Sequence, residues 1–439
     1  MKTWIINRFY ALRVTFWFVP TLFGAGAVAL AMVALNVDGR LVRTGISAGW
    51  LYGGTPEAAR SLVIMLAGSM ITIAGVTFSI TIVALSLTGA QFGSRLLRNF
   101  LRDPSNQIAL GTFVATFLYC LMVLRDIIET EPVPAVAVTG AVALSVTSIG
   151  VLVYFFHHVS TSIQASEVVA GVAGDLESAI DRFSSDCASQ EREEQRKPAA
   201  RLVVGDEVPN DRTGYVQAIN YEELMELAEA RDVVIQVLLR AGDFVHAGTA
   251  LVRIEPEGRL EEGNADKICR AFLVGGQPTE EQDLEYSVRR LVEVALRALS
   301  PGINDPFTAM TCIDWLGAAL ARLAECGMPA SERRDDNGRL RLLLDPLTFE
   351  GVADAALKQI RQAGVGHVAV TIRLLDTLAA IAPRARTRSH AETLRAHADE
   401  VLAGALEAAA IDSDRVALTA RHVATRRAIE ATVGVPDLV

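Results

Sequence analysis

The chain has 439 residues, of which 51% are hydrophobic and 21% charged, and its formal net charge at neutral pH is −10. This composition excludes a disordered or fibrous protein, and the length allows two to four domains. Residues 1–160 carry 10 Lys and Arg against 6 Asp and Glu, whereas residues 161–439 carry 31 against 45. The acidic second part argues against a nucleic acid as partner, because phosphate binding needs a basic surface.

Four long runs without a charged residue stand out in the first part: Val14–Val37, Ser61–Ser94, Pro104–Leu124 and Pro132 to about His157. Each exceeds the roughly 20 apolar residues that a helix needs to cross a bilayer. We therefore expect a transmembrane domain over 1–160, with helices at about 14–35, 62–87, 107–124 and 134–156. Three further spans after the first favour an uncleaved anchor over a signal peptide.

Basic residues indicate the orientation of these spans. Lys and Arg precede the first span and lie between the second and third, at Lys2, Arg8, Arg13, Arg95, Arg98 and Arg102. This distribution favours cytoplasmic N- and C-termini in a bacterial cytoplasmic (inner) membrane. The five cysteines are scattered without a CxxC pair, which suits a reducing compartment.

One face of the second span is rich in small and hydroxylated residues. Spacings of three and four place on it Gly68, Thr72, Gly75, Ser79, Ile82, Ser86 and Gly89. Such a face either allows close helix packing or lines a narrow polar path through the membrane. Since no formal charge falls in the middle of a predicted span, an ion-coupled transporter is disfavoured.

Two adjacent histidines, His157 and His158, follow the fourth span. Neighbouring residues on a helix point about 100° apart, so the two rings do not readily share one metal ion. They are either interfacial side chains or a pH-sensitive gate, because imidazole titrates near neutral pH.

The segments after the membrane domain predict a soluble α+β region. Residues 161–200 read as a connecting helix and a charged linker (Glu191–Pro198), and 201–278 as a small β-rich module. The expected elements are strands at Arg201–Val204, Gly214–Ile219, Val233–Leu239 and Ala250–Ile254, with a helix at Tyr221–Ala230.

The β-rich module carries Gly242-Asp243-Phe244-Val245 followed by Gly248 and Leu251. This pattern resembles the barrel-sandwich domains of cofactor carriers and membrane-fusion adaptors. No lysine occurs between Lys197 and Lys267 to carry a cofactor. We therefore expect a barrel-sandwich-like packing or interaction module.

Residues 279–439 predict an α-helical domain, with a bundle or an oligomer contact favoured by its alanine-rich apolar stripes. Asp305 and Pro306 suit the N-cap and first position of a helix over about 306–325. Asn304, Arg289 and Arg290 either shape this turn or, with Asp305, meet a ligand anion at the positive helix start. The charged run Ser331–Asp336 reads as a loop.

Three segments carry a family resemblance. They are Thr77–Leu85 with Gln91-Phe92 and Arg95-Leu96-Leu97, then Phe155-Phe156-His157-His158, and then Ser300-Pro301-Gly302-Ile303-Asn304-Asp305-Pro306. Together they resemble the bacterial predicted membrane proteins named domain of unknown function 2254. The resemblance implies four spans followed by a soluble domain, and it implies no activity or catalytic residue.

The familiar catalytic and nucleotide-binding motifs are missing from the sequence, including GxGxxG after a strand, GxSxG and HExxH. We therefore expect no enzyme, no cofactor and no metal site.

Two functions remain. The first is an oligomeric passive channel for ions or small solutes, lined by the second span and assembled or gated by the soluble part. The second is a membrane-anchored scaffold or sensor, whose soluble domain binds a protein partner.

Overall fold

The computed structural model describes residues 17–44, 51–92, 103–129, 133–162, 164–190, 205–259, 263–345 and 347–433. The chain divides into two units, Met1–Glu167 and Val168–Val439. The predicted strand Arg201–Val204 and the predicted linker Glu191–Pro198 lie outside the described residues.

The first unit contains four apolar helices: α1 (Phe18–Thr44), α2 (Pro56–Phe92), α3 (Pro104–Glu129) and α4 (Ala135–Ser162). Each includes a stretch of 24 to 34 residues that is long and apolar enough to cross a membrane. The four predicted spans are therefore confirmed, although every helix is longer than expected.

α3 is the central helix of this unit and packs against α1, α2 and α4. Its Phe113 and Tyr119 are fully buried, and Phe155 of α4 is buried beside Phe113. Large apolar side chains on the outer faces remain exposed, including Val142, Val146 and Val153 of α4. This distribution suits lipid contact, because hydrocarbon solvates such side chains as well as a protein core does.

Asp38, near the end of α1, was not singled out by the sequence pattern. Its Oδ1 accepts the backbone N–H of Val136 at 2.7 Å, and its Oδ2 accepts that of Ala137 at 2.8 Å. These N–H groups belong to the first turn of α4 and have no partner within that helix. A buried carboxylate of one helix thus caps the positive start of another.

The second unit begins on α5 (Ala165–Gln190), and its β-rich part contains α6 (Tyr221–Arg231) and α7 (Asn264–Ala271). The strands are β1 (Asp206–Pro209), β2 (Gly214–Ile219), β3 (Val234–Val237), β4 (Phe244–Val245), β5 (Ala250–Glu255), β6 (Phe272–Gly275), β7 (Glu332–Arg334) and β8 (Leu340–Leu343). They form one sheet in the order β1-β5-β3-β8-β7 and another in the order β4-β2-β6.

The expected barrel-sandwich is not confirmed, since these sheets form no closed barrel within the described ranges. β3 pairs antiparallel with β5 on one side and parallel with β8 on the other, so β8 occupies the edge that a small barrel would close. β2 instead pairs with β4 and β6 in the separate sheet.

The prediction of a loop at Ser331–Asp336 was wrong, because Glu332–Arg334 forms β7. β7 is an edge strand, and charged side chains are typical of edge strands because they discourage further pairing. Asp335–Gly338 forms the turn to β8, with Gly338 at φ +77°. β7 and β8 complete a sheet whose other strands lie between residues 206 and 255.

The remaining elements are helical: α8 (Leu284–Ala298), α9 (Pro306–Cys326), α10 (Phe349–Ala363), α11 (Val368–Ile381), a 3-10 turn (Ala382–Arg384), α12 (Arg388–Ala408) and α13 (Asp412–Val433). The second unit thus combines a helical bundle with two small sheets.

Candidate functional site

The small-residue face of α2 is exposed. Gly68, Thr72, Gly75, Ser79, Ile82 and Ser86 are all exposed, and Gly89 is half-buried. Thr72 Oγ1 donates to Gly68 O at 2.8 Å, and Ser79 Oγ donates to Gly75 O at 2.9 Å. Their hydroxyl protons are thus satisfied within the helix, and the oxygens can still accept a bond.

A different face of α2 packs inside the bundle. It consists of Ala59, Val63, Ala67, Met70, Ala74, Thr77, Thr81, Ala84 and Thr88, all buried. Thr81 Oγ1 donates to Thr77 O at 2.8 Å. The sequence could not show which of the two faces is buried, because small and hydroxylated residues recur every three or four positions on both.

Space around the exposed glycines is open. A Cβ atom added to Gly68 or Gly75 would meet no heavy atom within 4 Å. Glycine inside a helix costs roughly 0.8–1 kcal/mol relative to alanine. Packing within the chain therefore does not require these two glycines, which lie two turns apart on one face.

His158 joins α4 to the start of α3. Its Nε2 lies 2.5 Å from Asp103 Oδ2, and Asp103 Oδ1 accepts the backbone N–H of Ser105 at 2.8 Å. The Tyr154 ring stacks on the imidazole with centroids 5.8 Å apart. His157 is exposed on the same turn.

Arg289 and Arg290 face different acidic partners. Arg289 Nη2 lies 3.6 Å from Asp283 Oδ2 and 3.3 Å from Glu285 Oε2. Arg290 is buried, and its Nη1 lies 3.0 Å from Asp175 Oδ2 and 2.5 Å from Glu280 Oε1.

Asn304 and Asp305 form the start of α9. Asn304 has φ +50°, a left-handed conformation that asparagine tolerates better than most residues. Asp305 Oδ1 accepts the backbone N–H groups of Phe307 and Thr308, each at 3.1 Å. These contacts give both residues a structural role, and within the described ranges neither forms a hydrogen bond or ion pair with Arg289 or Arg290.

A cavity of about 250 Å³ lies in the second unit, and the sequence pattern did not reveal it. Its wall comes from residues 179, 182 and 183 of α5, Tyr221 of α6, the β3–β4 turn 240–243, residues 280–285 with Arg289, residues 329, 330 and 333, and residues 344, 345 and 347. A more open cavity of about 560 Å³ shares Tyr221, Gln282 and Arg333 with it. Six separate segments build the wall, and no local signal predicts that they meet.

Opposite charges meet in this cavity. Asp283 is buried at the start of α8, where its Oδ1 accepts the backbone N–H of Tyr286 at 2.9 Å. Burial raises the pKa of the Asp283 carboxyl above its usual value. Arg240 Nη2 lies 3.2 Å from Glu285 Oε1, beside the Arg289 pairs. Over the residues that the structure describes, no group of three or more His, Cys, Asp or Glu is arranged to hold a metal ion.

Comparison with known proteins gives the family. The family model described as predicted membrane protein, domain of unknown function 2254, matches residues 13–380. An uncharacterized protein of Mycobacterium tuberculosis (strain H37Rv) is 33% identical over 416 residues, which cover 91% of this chain and 78% of that protein. An uncharacterized protein of Mycobacterium bovis matches with the same identity and coverage. No solved structure matches. The chain belongs to this family of predicted membrane proteins.

Proposed function

We propose that this member of the family forms an oligomeric passive pore for ions or small solutes, with the exposed small-residue face of α2 lining the path between copies. The observation that carries the proposal is the exposure of Gly68, Thr72, Gly75, Ser79, Ile82 and Ser86, while another face of the same helix packs within the chain. A face of glycine and hydroxyl groups suits close contact with another copy and an aqueous path better than it suits lipid alone.

The interior of one copy argues for a path between copies. Phe113, Tyr119 and Phe155 are fully buried among the four helices and fill the space between them. A path along the centre of a single copy would require these rings to move. A ring of copies needs no such change, because the α2 face is already exposed.

The chemistry of the face favours passive flow with weak charge selectivity. Hydroxyl oxygens such as Ser79 Oγ replace part of an ion's hydration shell without holding the ion tightly. No acidic or basic residue follows Arg60 on α2 (Pro56–Phe92) to bind a coupling ion. The proposal involves no chemical reaction.

His158 is the group through which pH would act on the pore. Its contact with Asp103 joins the end of α4 to the start of α3. A change in this contact would alter how firmly the two helix ends are held together. His157 is exposed on the same turn and provides a matched control position.

The proposed setting is the bacterial inner membrane, with both termini in the cytoplasm, as the placement of Lys and Arg favours. The second unit would then lie in the cytoplasm, where it would assemble or gate the pore.

Ion flux into proteoliposomes tests the pore. We expect flux with the wild type and its loss in a Ser79→Leu, Ser86→Leu variant, because leucine removes the hydroxyls and narrows the path. Thr147→Leu is the matched control, since Thr147 is exposed on α4 and its Oγ1 also donates to the carbonyl four residues earlier, Ala143 O, at 2.9 Å. This control should keep its flux.

Size measurement of the detergent-solubilised protein accompanies the flux assay. A monomer in mild detergent, or an absence of flux across several salts and pH values, would contradict the pore. Absence of flux together with a protein partner retained by residues 161–439 would instead support a membrane-anchored scaffold. Equal flux in the His157→Gln and His158→Gln variants at every pH would contradict the proposed gate at His158 and leave the proposed pore unaffected.

A further inference from the structure

The cavity of the second unit has the size of a small-molecule site. Its volume of about 250 Å³ is slightly below the roughly 300–1,000 Å³ typical of ligand pockets, so it has room only for a compact ligand. Besides charged groups it presents an apolar wall that includes Phe183, Leu284, Pro329, Leu344 and Leu347. A site of this kind accepts one compact metabolite.

Two carboxylates are buried in the wall. The side chain of Asp283 is 6% exposed and that of Glu285 is 10% exposed. Acidic side chains are rarely buried to this degree unless a cation compensates the charge. The cap that Asp283 provides for α8 uses its Oδ1, and its Oδ2 accepts no backbone N–H from the residues that the structure describes.

The two arginines beside these carboxylates balance their charge at ion-pair distance but form no hydrogen bond with them within the described ranges. Arg240 and Arg289 approach within 3.2–3.6 Å, longer than the 2.7–2.9 Å of a charge-assisted hydrogen bond. Their side chains are 39% and 47% exposed, so N–H donors remain accessible at the edge of the cavity.

The backbone holds this arrangement in place. Gly242 has φ +97°, and a Cβ atom there would overlap the Asp283 carboxylate. Asp243 Oδ2 accepts the backbone N–H of Arg240 at 2.9 Å and so fixes the turn that carries the arginine. The β3–β4 turn therefore packs directly against the Asp283 carboxylate.

We propose that this cavity binds a free α-amino acid, whose carboxylate contacts Arg240 and Arg289 and whose ammonium group contacts Asp283 and Glu285. A simple anion would lie against two buried carboxylates, and a simple cation would lie against two guanidinium groups. In an α-amino acid the ammonium nitrogen and the carboxylate carbon are two bonds apart. One such ligand can therefore reach the arginine pair and the carboxylate pair together, because these pairs lie 3.2–3.6 Å from each other. The apolar wall receives the side chain. The proposal does not depend on the pore.

Isothermal titration of the full-length protein in detergent tests the site, with each of the common L-amino acids as probe. We expect saturable binding of at least one of them, and at least a tenfold loss of affinity in Arg289→Gln and in Glu285→Gln. Arg388→Gln is the matched control, because Arg388 is exposed on α12 and pairs with Glu392 at 2.9 Å. It should bind as the wild type does.

Acetate and methylammonium separate the two halves of the proposed ligand. Each should bind far more weakly than the amino acid, since each satisfies one pair and faces the like charge of the other. Acetate binding as tightly would make this an anion site and overturn the proposal, and methylammonium binding as tightly would do the same in favour of a cation site. Failure of every amino acid to bind the wild type would also overturn it.

Folding is followed in parallel by thermal unfolding of each variant. Arg289→Gln removes one of the two cations beside the buried carboxylates, so its unfolding temperature should fall, and binding is compared at temperatures at which each variant is folded. Amino acid affinity that is unchanged in the folded Arg289→Gln and Glu285→Gln variants would place binding elsewhere and overturn the proposal.

Discussion

Arg290 on α8 donates from Nη1 to Asp175 Oδ2 on α5 at 3.0 Å, although the arginine side chain is only 2% exposed. The same Nη1 donates to Glu280 Oε1 at 2.5 Å. One buried guanidinium thus joins α5 and the segment before α8 through two acids, each more than one third exposed.

The first prediction is that loss of the two acids destabilises the protein more than loss of the buried arginine does. Replacement of both acids, Asp175→Asn with Glu280→Gln, leaves a buried cation without a counter-charge and lowers the unfolding temperature. Loss of one partner from a fully buried pair costs about 3–5 kcal/mol, and partial exposure of the acids reduces that here. Arg290→Met should be milder, because the methionine stays buried and the acids gain water. Thermal unfolding followed by circular dichroism checks this, and a larger loss in Arg290→Met would contradict it.

The second prediction concerns the contact between α9 and α11. A Cβ atom on Gly317 would overlap Cγ2 of Thr377, and both residues are buried. Gly317→Ala should therefore destabilise the second unit by about 1–3 kcal/mol through overpacking, despite the better helix propensity of alanine. Thr377→Ser removes the clashing methyl group and should restore part of the stability in the double variant.

Gly171 on α5 provides the control for that prediction. It is exposed, and a Cβ atom there would meet nothing within 4 Å. Gly171→Ala should leave the unfolding temperature unchanged or raise it slightly. Equal destabilisation in both glycine variants would mean that the contact with Thr377 is not the cause.

The third prediction concerns pH. His390 and His397 lie on one side of α12, both are buried, and burial lowers the pKa of each imidazole. Their Nδ1 atoms have no hydrogen-bond partner in the part of the chain that the structure describes. The neutral rings are therefore favoured in the folded state. The charged side chains around His397 are Asp354, Glu400, Arg361 and Lys358, and the two acids oppose the lowering.

The sign of the pH effect follows from these lowered pKa values. In the unfolded chain the two histidines bind protons at about pH 6.5. In the folded chain their lowered pKa values mean that they bind protons only at a more acidic pH. Stability is thus fully present above about pH 6.5 and declines as pH falls through that value towards the lower folded pKa. A His390→Leu, His397→Leu variant should lose part of this slope, whereas His246→Gln, at an exposed position, should retain it. The unfolding temperature between about pH 8 and pH 5 measures the difference, and equal slopes in all three proteins would contradict the assignment.

Local patterns predicted much of the architecture because they carry their own physical cause. Runs longer than the bilayer thickness predicted α1 to α4, and Asp305 with Pro306 predicted the start of α9, which the structure confirms. The strand Glu332–Arg334 was missed, because its charged side chains carry no apolar alternation, although its pairing partner β8 follows after a short turn.

For this protein the sequence alone determined the membrane spans, the family, most helices and three of the eight strands in the described ranges (β2, β3 and β5), since each depends on composition or spacing within a short segment. Only the tertiary structure decided which face of α2 packs inside the chain, because two hydroxyl faces share one helical spacing and only the neighbouring helices select between them. The tertiary structure also creates the cavity, in which Arg240 of the β3–β4 turn lies near Asp283 and Arg289 at the start of α8. Long-range packing brings such groups together, and no periodicity along the chain records it.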